Sequence, residues 1–484
     1  MNKKYILVII LVLGFILRST AQNVFSIEDI IERAKLQSPF SKQAETQKET
    51  SYWQYRSYRT NYNPQLRLNG NLPTYFNSVT PVRQPDGSLL YIPVNQLNPN
   101  LNFGLQQPIS LTGGTISANT GYNFFNDNAT GDSQWSGTVL NIQLTQPVFA
   151  YNPLKWDKRT RPIQFEESKR IYAERLEAIS RDAVSLFFDV LQQQVNAQIA
   201  RYNLANNDTI NKIEQGRYNI GTTSQDKLLQ VELQLLNSKR DVAQAILDLE
   251  TAHLQLRTYL GLKDGDSFDL ILPEVIPQFE ISLEEALEFG KLNRADYIAF
   301  ERRKIEAESE VAAAKGQRYQ TTISASYGLN NIGASVSDLY NNPTKQQVAN
   351  ISFNVPIVDW GRRKAMMQTA YANKKLTDYV IAQNIVNFEQ EIITQVKQFE
   401  MLRLQIDITK KSDEVAQQRY VVAQNRYLIG KIDITNLNIA LTEKDTAKRS
   451  YLLALKSFWT AYYNLRRLTL YDFANRRALY LSQD

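Results

Sequence analysis

Cysteine is absent from the 484-residue chain, and histidine occurs once, at His253. Without cysteine the chain can form no disulfide, thiolate metal site or lipid-modified N-terminal Cys, and it has no thiol nucleophile. A lone histidine on a predicted long helix is typical of a packing or surface residue. The sequence also has no glycine-rich phosphate loop and no nucleophile elbow. We therefore predict no enzyme, no metal and no cofactor, although carboxylate chemistry stays open.

Long hydrophobic runs are missing after the N-terminus. Residues 1–21 have the pattern of a secretory signal peptide, because Lys3 and Lys4 precede the apolar stretch Tyr5–Leu17 and the small residues 19–21. That stretch is shorter than the ~20 residues of a typical spanning helix. We expect an exported chain that starts near Gln22 and that could cross a membrane only as a closed β-barrel.

Charge is not concentrated in any segment. The chain has 55 basic and 49 acidic residues, a net charge of +6, and its Lys and Arg are scattered. Nucleic-acid-binding proteins usually carry clustered basic patches. The sequence therefore predicts no nucleic-acid partner.

What the sequence does contain is an internal repeat. The pentapeptide Arg217–Gly221 returns 209 residues later (426 − 217) as Arg426–Gly430, and a proline-free helical stretch follows each copy. Residues there recur at alternating intervals of three and four, the spacing of a seam between packed helices. The first stripe is Leu228, Val231, Leu235, Ser238, Val242, Ala245, Leu249, Ala252, Leu256 and Tyr259. The second stripe has one break, at Lys444, and the duplication predicts two similar halves of one object.

A very long helix is predicted before each pentapeptide, over about 157–218 and 362–427. At about 1.5 Å per residue, each would span roughly 90–100 Å. Helices of that length are unstable alone and indicate a coiled assembly. Gly221 and Gly430 are expected to end these helices and turn the chain back.

Strand patterns fill the segment before each long helix. Apolar and polar residues alternate there, and the polar positions are Asn, Gln, Ser, Thr and Gly with almost no charge. Such a strand suits a wall between lipid and a watery lumen, but also a soluble sandwich. The candidates are Gln65–Leu72, Leu101–Gln106, Thr115–Phe125, Leu140–Thr145, Ile323–Tyr327 and Asn350–Val355. Aromatic residues near the strand ends favour the membrane: Trp135, Phe149, Tyr151, Trp156, Tyr340 and Trp360.

The two halves differ in length inside the β segment. Helix starts at Ser26 and Ser282 are 256 apart, whereas the strand exits at Pro147 and Pro356 are 209 apart, so the first half holds ~47 extra residues (256 − 209). They include a proline-rich stretch, Pro81–Pro99, with an Asp-Gly turn, and an extra hairpin at Leu111–Gly114. We predict four strands in the first half and two in the second.

These patterns predict five segments after one another. They are a signal peptide, 1–21; a first repeat, 22–261, with strands at about 64–149 and a hairpin tip at 217–222; a linker, 262–280; a second repeat, 281–470, with strands at about 321–357 and a tip at 426–431; and a tail, 471–484.

Together these features resemble the TolC-like outer-membrane efflux protein family over nearly the whole mature chain. The resemblance rests on the duplicated helix starts, the two strand exits, with Trp360-Gly361-Arg362 behind the second, and the paired Arg-Tyr-x-Ile-Gly tips. It implies an α+β membrane protein. Each chain would be one subunit of a trimeric outer-membrane β-barrel joined to a long periplasmic α-helical barrel of coiled-coil type.

The resemblance also implies the function and the partners. The chain would be the exit duct of a tripartite efflux or type I secretion system, set in outer-membrane lipid and fed by a periplasmic adaptor and an inner-membrane RND or ABC-type pump. Two to four strands cannot close a barrel, so subunits must pool them. Three chains would supply twelve strands, or eighteen if the extra hairpin joins the wall. A periplasmic coiled-coil scaffold without a pore is the alternative.

By the same resemblance, the tips dock the adaptor and close the periplasmic aperture. The residues assigned to this role are Arg217, Tyr218, Gly221, Arg426, Tyr427 and Gly430. Glycines that merely cap helices would look the same, and capping is compatible with docking.

The aperture departs from the family pattern in its acids. The best-known members carry Asp residues six and nine positions after the second tip glycine, where this chain has Asn436 and Ile439. Asp433 is the acid that remains nearby. The resemblance therefore implies a pore that is less cation-selective here, which strong cation preference abolished by Asp433→Asn would contradict.

The closing tether departs from the family pattern as well. Tyr427 matches the tether tyrosine, but its acidic partner would fall at Lys227, with Asp226 one position earlier. The basic residue expected two positions after the tip glycine is Ile432, with Lys431 one position earlier. The resemblance therefore identifies no complete closed-state lock.

Overall fold

The computed structural model describes residues 23–262, 268–273, 276–317 and 320–480. The predicted signal peptide and parts of the predicted linker and tail lie outside the described residues. The chain divides into two compact units. Among the described residues, the helical unit takes those within 23–49, 168–295 and 386–480, and the β unit takes those within 50–167 and 296–385. Each unit therefore combines segments from both repeats.

The described residues form α-helices of matched length in the two repeats. They are α1 (Ile27–Gln37), α2 (Pro39–Thr60), α3 (Pro153–Asn219), α4 (Gln225–Leu260), α5 (Leu283–Asn293), α6 (Ala295–Gly316), α7 (Arg362–Leu428) and α8 (Ile434–Thr469). The long helices α3 and α7 have 67 residues each, and the returning helices α4 and α8 have 36 each. Within the described ranges, no helix has the length and apolar character to cross a bilayer.

Local caps explain where the short helices begin. The Ser26 hydroxyl accepts a hydrogen bond from the Asp29 amide at 3.2 Å, and the Asp29 carboxylate accepts one from the Ser26 amide at 2.9 Å. This reciprocal capping box satisfies two amides that a helix start leaves unpaired. Ser282 caps α5 through the Glu285 amide at 3.4 Å. Both starts lie where the duplicated sequence predicts them.

The predicted seam is largely buried inside the helical unit. On α4, Val231 and Leu256 are among its buried positions, and on α8 so are Leu437 and Phe458. The break at Lys444 is buried as well, at 8% exposure, and its ammonium lies 4.5 Å from the Tyr420 ring centroid. A cation over an aromatic face is stabilised by the ring quadrupole, which explains how the seam accommodates a charge.

The end of α8 is fixed by buried ion pairs. Arg466 donates to Glu177 at 2.8 Å and lies 3.0 Å from Asp472 in the short strand that follows α8. Lys35 of α1 donates to the same Glu177 at 2.6 Å. The Tyr462 hydroxyl donates to Asp472 at 2.8 Å. These contacts join segments of both repeats within the helical unit.

The β unit is built on one antiparallel sheet. Its strands are β2 (Gln65–Asn71), β3 (Tyr75–Arg83), β4 (Leu89–Leu97), β5 (Asn100–Ile109), β6 (Gly114–Asp127), β7 (Ser133–Val148), β9 (Gln320–Gly333) and β10 (Thr344–Asn354). Strands β2, β5, β6, β7, β9 and β10 form a continuous ladder in that order. The short strands β1 (Asn23–Phe25) and β8 (Phe268–Leu270) pair with each other, as do β11 (Tyr471–Asp472) and β12 (Arg477–Ala478).

The prediction of four strands in the first half was wrong, because that half holds six strands of this sheet. The proline-rich stretch predicted as an insertion forms the hairpin β3–β4 around the Asp86-Gly87 turn. This hairpin pairs with β6 of the ladder at Gln96 with Asp127 and at Leu97 with Asn126, and Asn128, just after β6, donates to Asn95. The extra hairpin at Leu111–Gly114 joins β5 to β6 and so lies within the continuous ladder.

The ladder has two faces of opposite chemistry. Register across β2, β5, β6, β7, β9 and β10 aligns Arg67, Gly104, Asn119, Asn141, Gly328 and Gln346 in one polar row. Asn119 is the cross-strand neighbour of Gly104. A Cβ atom added at Gly104 would collide with the Asn119 side-chain oxygen, so glycine leaves space for the Asn119 side chain. The opposite face exposes leucine, isoleucine and phenylalanine side chains, such as Leu68 at 65% and Phe353 at 76%.

Candidate functional site at the hairpin tips

Each hairpin tip turns on a glycine in the left-handed region. Gly221 has φ +75° and Gly430 has φ +73°. In the first tip the Gly221 and Thr222 amides donate to the Tyr218 and Arg217 carbonyls, and the second tip repeats the pattern. Two such bonds satisfy carbonyls at the helix end, and only glycine adopts this backbone without steric cost. The glycines are therefore helix caps.

A buried carboxylate joins the two tips. Glu214 lies in α3, one turn before the first tip, and is 4% exposed. Its Oε1 accepts a hydrogen bond from the Tyr427 hydroxyl of the second repeat at 2.6 Å and from Arg217 Nη1 at 2.7 Å. Arg217 Nη2 donates to the Leu428 carbonyl at 3.2 Å. We call Glu214, Arg217 and Tyr427 the tip clamp.

Apolar packing surrounds the tip clamp. Tyr427 is 3% exposed and belongs to a core cluster that includes Ile210, Val231 and Leu437. The Arg217 guanidinium lies 5.5 Å from the Tyr427 ring centroid. In a region of low dielectric, charge-assisted hydrogen bonds are stronger than in water, and an unpaired partner is costly. The tip clamp therefore couples the positions of the two hairpin tips.

The pKa values of the clamp follow from these contacts. Burial raises the pKa of Glu214, but hydrogen bonds from Tyr427, Arg217 and Thr223 and the charge of Arg217 together outweigh it and leave the pKa below its ordinary value of 4.5. Burial and the hydrogen bond to Glu214 raise the pKa of Tyr427. At neutral pH the carboxylate is therefore charged and the phenol is a neutral donor.

A cavity of about 370 Å³ opens between the tips. Some predicted site residues line it, while others do not. Its lining includes Glu214, Arg217, Lys227, Tyr427, Gly430 and Asp433. Tyr218, Gly221, Arg426, Asp226, Lys431, Asn436 and Ile439 are not part of this lining, and their side chains are exposed where they have one.

The two tip tyrosines occupy opposite environments despite their shared motif. Tyr427 is buried on the clamp, whereas Tyr218 is 41% exposed. Arg217 is likewise partly buried against Glu214, while Arg426 is exposed. The duplication therefore supplies one clamp rather than two, since the position equivalent to Glu214 (214 + 209) is Ala423.

The aperture candidates have local roles at helix starts. Asp433 is the N-cap of α8, because its Oδ1 accepts from the Asn436 amide at 2.9 Å and from the Asn436 side chain at 2.9 Å. Ser224 caps α4 through the Lys227 amide at 3.4 Å. Caps of this kind satisfy otherwise unpaired amides.

Sequence reasoning missed Glu214. The available signal was weak, consisting of an acid three positions before Arg217, which is the spacing of a helical ion pair. Its second partner, Tyr427, lies 213 residues away in sequence. The acidic partner of Tyr427 thus comes from before the first tip rather than from the positions after it, 226 or 227.

Two further faces of the helical unit carry exposed apolar stripes. On α4 the stripe includes Leu229, Leu233 and Leu236 and, beyond a break at the charged Arg240, Leu247 and Leu254, and these leucines are between 51% and 60% exposed. On α7, residues at intervals of seven are exposed to between 52% and 58%. These are Met401, Ile408, Val415 and Val422. Both stripes have the heptad spacing of helix seams.

Known proteins resemble this chain in sequence pattern and in fold. The sequence model of the outer membrane efflux protein family matches residues 95–262 and 292–469. The CmeC outer membrane channel of Campylobacter jejuni has 14% identity and a TM-score of 0.67, over 95% of this chain and 87% of that chain. VceC of Vibrio cholerae has 14% identity and a TM-score of 0.65, over 92% and 95%. The open-state MtrE channel of Neisseria gonorrhoeae has 16% identity and a TM-score of 0.61, over 92% and 88%. No curated protein sequence matches the chain.

The fold is therefore that of outer-membrane channels, which are not enzymes. The chain belongs to the outer membrane efflux protein family. This confirms the predicted resemblance to TolC-like proteins, and it confirms the efflux exit duct as the function at the level of the family. Proteins of this family are outer-membrane channels that extend into the periplasm and work with adaptors and pumps.

Proposed function

We propose that three copies of this chain form the outer-membrane duct of a tripartite efflux or type I secretion system. A periplasmic adaptor and an inner-membrane RND or ABC-type pump would deliver the substrate. One observation carries the proposal. In the helical unit and again in the β unit, a single chain exposes two different surfaces, and each could pair with the other surface on a neighbouring copy. The predicted signal peptide would export the chain, and the repeats 22–261 and 281–470 would each contribute a hairpin to the duct.

The apolar stripes supply the edges of the helical unit. Monomeric soluble proteins rarely expose apolar stripes of this length, and heptad spacing indicates a helix partner. The α4 stripe of one copy would pack against the α7 stripe of the next. Such a contact uses two different surfaces, so it produces a closed ring if the rotation between copies closes.

The sheet supplies the second pair of edges. Within the described residues, β2 pairs on one side with β5, and β10 pairs on one side with β9. Unpaired strand edges are a liability that barrels remove by closure. Pairing β2 of one copy with β10 of the next would pool six strands from each chain into an eighteen-stranded wall.

The faces of that wall suit a lipid exterior and a watery lumen. The exposed leucines, isoleucines and phenylalanines would contact acyl chains, and the rows of Asn, Gln, Ser and Thr would line the lumen. The predicted aromatic positions lie near strand ends in this arrangement. Adaptor hairpins would dock at the tips, where Tyr218, Arg426 and Lys431 are exposed. Opening of the aperture would require release of the tip clamp.

Cysteine pairs can test the ring directly, because the natural chain contains no cysteine. Leu236 and Val415 each lie fifteen residues from the tip glycine of their own hairpin (236 − 221 and 430 − 415). Leu236→Cys combined with Val415→Cys should give disulfide-linked trimers in outer membranes on non-reducing gels. The control, Leu236→Cys with Gln417→Cys, places the second thiol on the opposite side of α7 and should stay monomeric. Equal cross-linking of both pairs, or none of either, would contradict the proposed contact.

A further inference from the structure

The end of the ladder from which the chain continues into α3 and α7 carries the most exposed apolar residues of the β unit. Pairings such as Ile109 with Gly114 and Gln320 with Asn354 define this end of the sheet. Four apolar side chains project there. They are Leu111 at 84% exposure, Phe149 at 80%, Ile357 at 94% and Trp360 at 96%. We call these four residues the exit rim.

The backbone at the exit rim is built to present these side chains. Phe149 and Trp360 have φ values of 59° and 51°, in the left-handed region that bulky residues rarely adopt. Asp359 stabilises the second turn by accepting from the Gly361 amide at 3.1 Å and from the Arg363 amide at 3.2 Å. Such outliers persist only where surrounding contacts fix them, and they are enriched at functional sites.

A side-chain amide fixes the first part of the rim. Asn152 Nδ2 donates to the Ser110 carbonyl at 2.9 Å, which ties the turn between β5 and β6 to the segment after β7. Leu111 and Phe149 therefore project from two segments that are held together.

Basic residues follow both strand exits. Lys155 and Lys158 open α3, and Arg362 and Lys364 open α7, and all four side chains are exposed. The nearby acids Asp157 and Asp359 are already engaged by Arg161 at 3.1 Å and by Arg363 at 2.5 Å. The same combination of projecting apolar residues and exposed cations therefore occurs in both repeats.

We propose that the exit rim and these four cations form a binding surface for an anionic phospholipid leaflet. The rim side chains insert at the level of the glycerol backbone, and the cations bind headgroup phosphates. Basic residues beside an anionic membrane surface and amphipathic rings at its interface are each favourable. The inference rests on the proposed function, because that function places the ladder in a membrane.

Tryptophan fluorescence tests the insertion. The trimer is reconstituted with phosphatidylcholine brominated along the acyl chain, as wild type, as Trp360→Phe and as Trp135→Phe. Trp135 serves as the reference, because it lies near the other end of β7. We expect lipid bromines to quench Trp360 emission, obtained as the difference between wild type and Trp360→Phe, while iodide in the buffer does not.

The outcomes separate this inference from the proposed function. Lipid quenching of Trp135 with iodide quenching of Trp360 would overturn the exit rim and leave the membrane placement intact. Iodide quenching of both tryptophans, with no effect of lipid bromines, would overturn the membrane placement itself.

Lipid selectivity tests the cations. Brominated phosphatidylglycerol at low mole fraction should quench Trp360 more than brominated phosphatidylcholine does. Each Lys or Arg replaced by Gln among the four cations should lower the relative association constant about five-fold. The matched control is Lys397→Gln with Lys410→Gln, two exposed lysines of α7 in the helical unit. No preference for the anionic lipid, or an equal loss in the control, would overturn the headgroup site.

Discussion

At the scale of residues, the tip clamp determines how firmly the two hairpins hold each other. Replacing Tyr427 by Phe leaves the buried Glu214 carboxylate without one of its donors. A charge-assisted hydrogen bond of this kind contributes about 1.5–3 kcal/mol. We expect Tyr427→Phe to lower the free energy of unfolding by about that amount and to raise the open probability in single-channel recordings. Tyr218→Phe, at the exposed copy of the motif, should change neither quantity measurably.

A double-mutant cycle isolates the clamp from general destabilisation. Glu214→Gln removes the charge of the acceptor and Tyr427→Phe removes the donor of the same hydrogen bond, so their combined effect should be clearly smaller than the sum of the single effects. Additive effects would show that the two side chains act independently and that no clamp couples the tips.

The clamp also predicts a dependence on pH. The folded-state pKa of Glu214 lies below its ordinary value of 4.5, so its contribution is complete above pH 4.5 and is lost as pH falls through the lower folded-state value. Recordings at decreasing pH should therefore show channel opening that begins below pH 4.5 in wild type and is already present at neutral pH in Glu214→Gln. An identical pH profile in the two proteins would refute this role for Glu214.

Local sequence patterns predicted the two turns of the site but not the tip clamp that joins them. Gly221 and Gly430 were identifiable because a left-handed helix cap depends on a few adjacent residues. Glu214 was not, because its meaning depends on Tyr427, which belongs to the other repeat. The internal repeat was no guide either, since the second copy has Ala423 at the equivalent position.

At the scale of elements, replacing a tip glycine should change stability only through the backbone conformation and not through a steric clash. An added Cβ would meet no atom within 4 Å at Gly430, where φ is +73°, or at Gly216 inside α3. We expect Gly430→Ala to cost about 1 kcal/mol, because alanine disfavours the left-handed region. Gly216→Ala should instead stabilise by about 0.4–1 kcal/mol. Chemical denaturation measures the change in the free energy of unfolding for each variant. If both variants changed it in the same direction, the assignment of Gly430 as a cap would be contradicted.

The hairpin β3–β4 shows where sequence patterns fail for elements. Pro81 pairs with Tyr91 and Pro93 pairs with Val79, so each strand contains a proline that a central strand would exclude. Both faces of the hairpin carry apolar side chains, which removes the alternation that revealed the ladder strands. The ladder strands were predictable because one face is apolar and the other is polar and almost free of charge.

At the scale of the whole molecule, the duplication gives the chain two halves of similar construction. Each repeat supplies a hairpin of 67-residue and 36-residue helices and a share of one sheet. The sequence could predict this frame because both copies preserve the motifs in the same order. The complementary stripes on α4 and α7 escaped prediction, because sequence alone did not distinguish the seam buried within a subunit from the second one at its surface.

The mass of the particle extracted from outer membranes in mild detergent tests the central claim most directly. The account predicts a stable complex of three processed chains that conducts ions when it is reconstituted into planar bilayers. A single processed chain that remains in solution without detergent, and that conducts nothing after reconstitution, would contradict it.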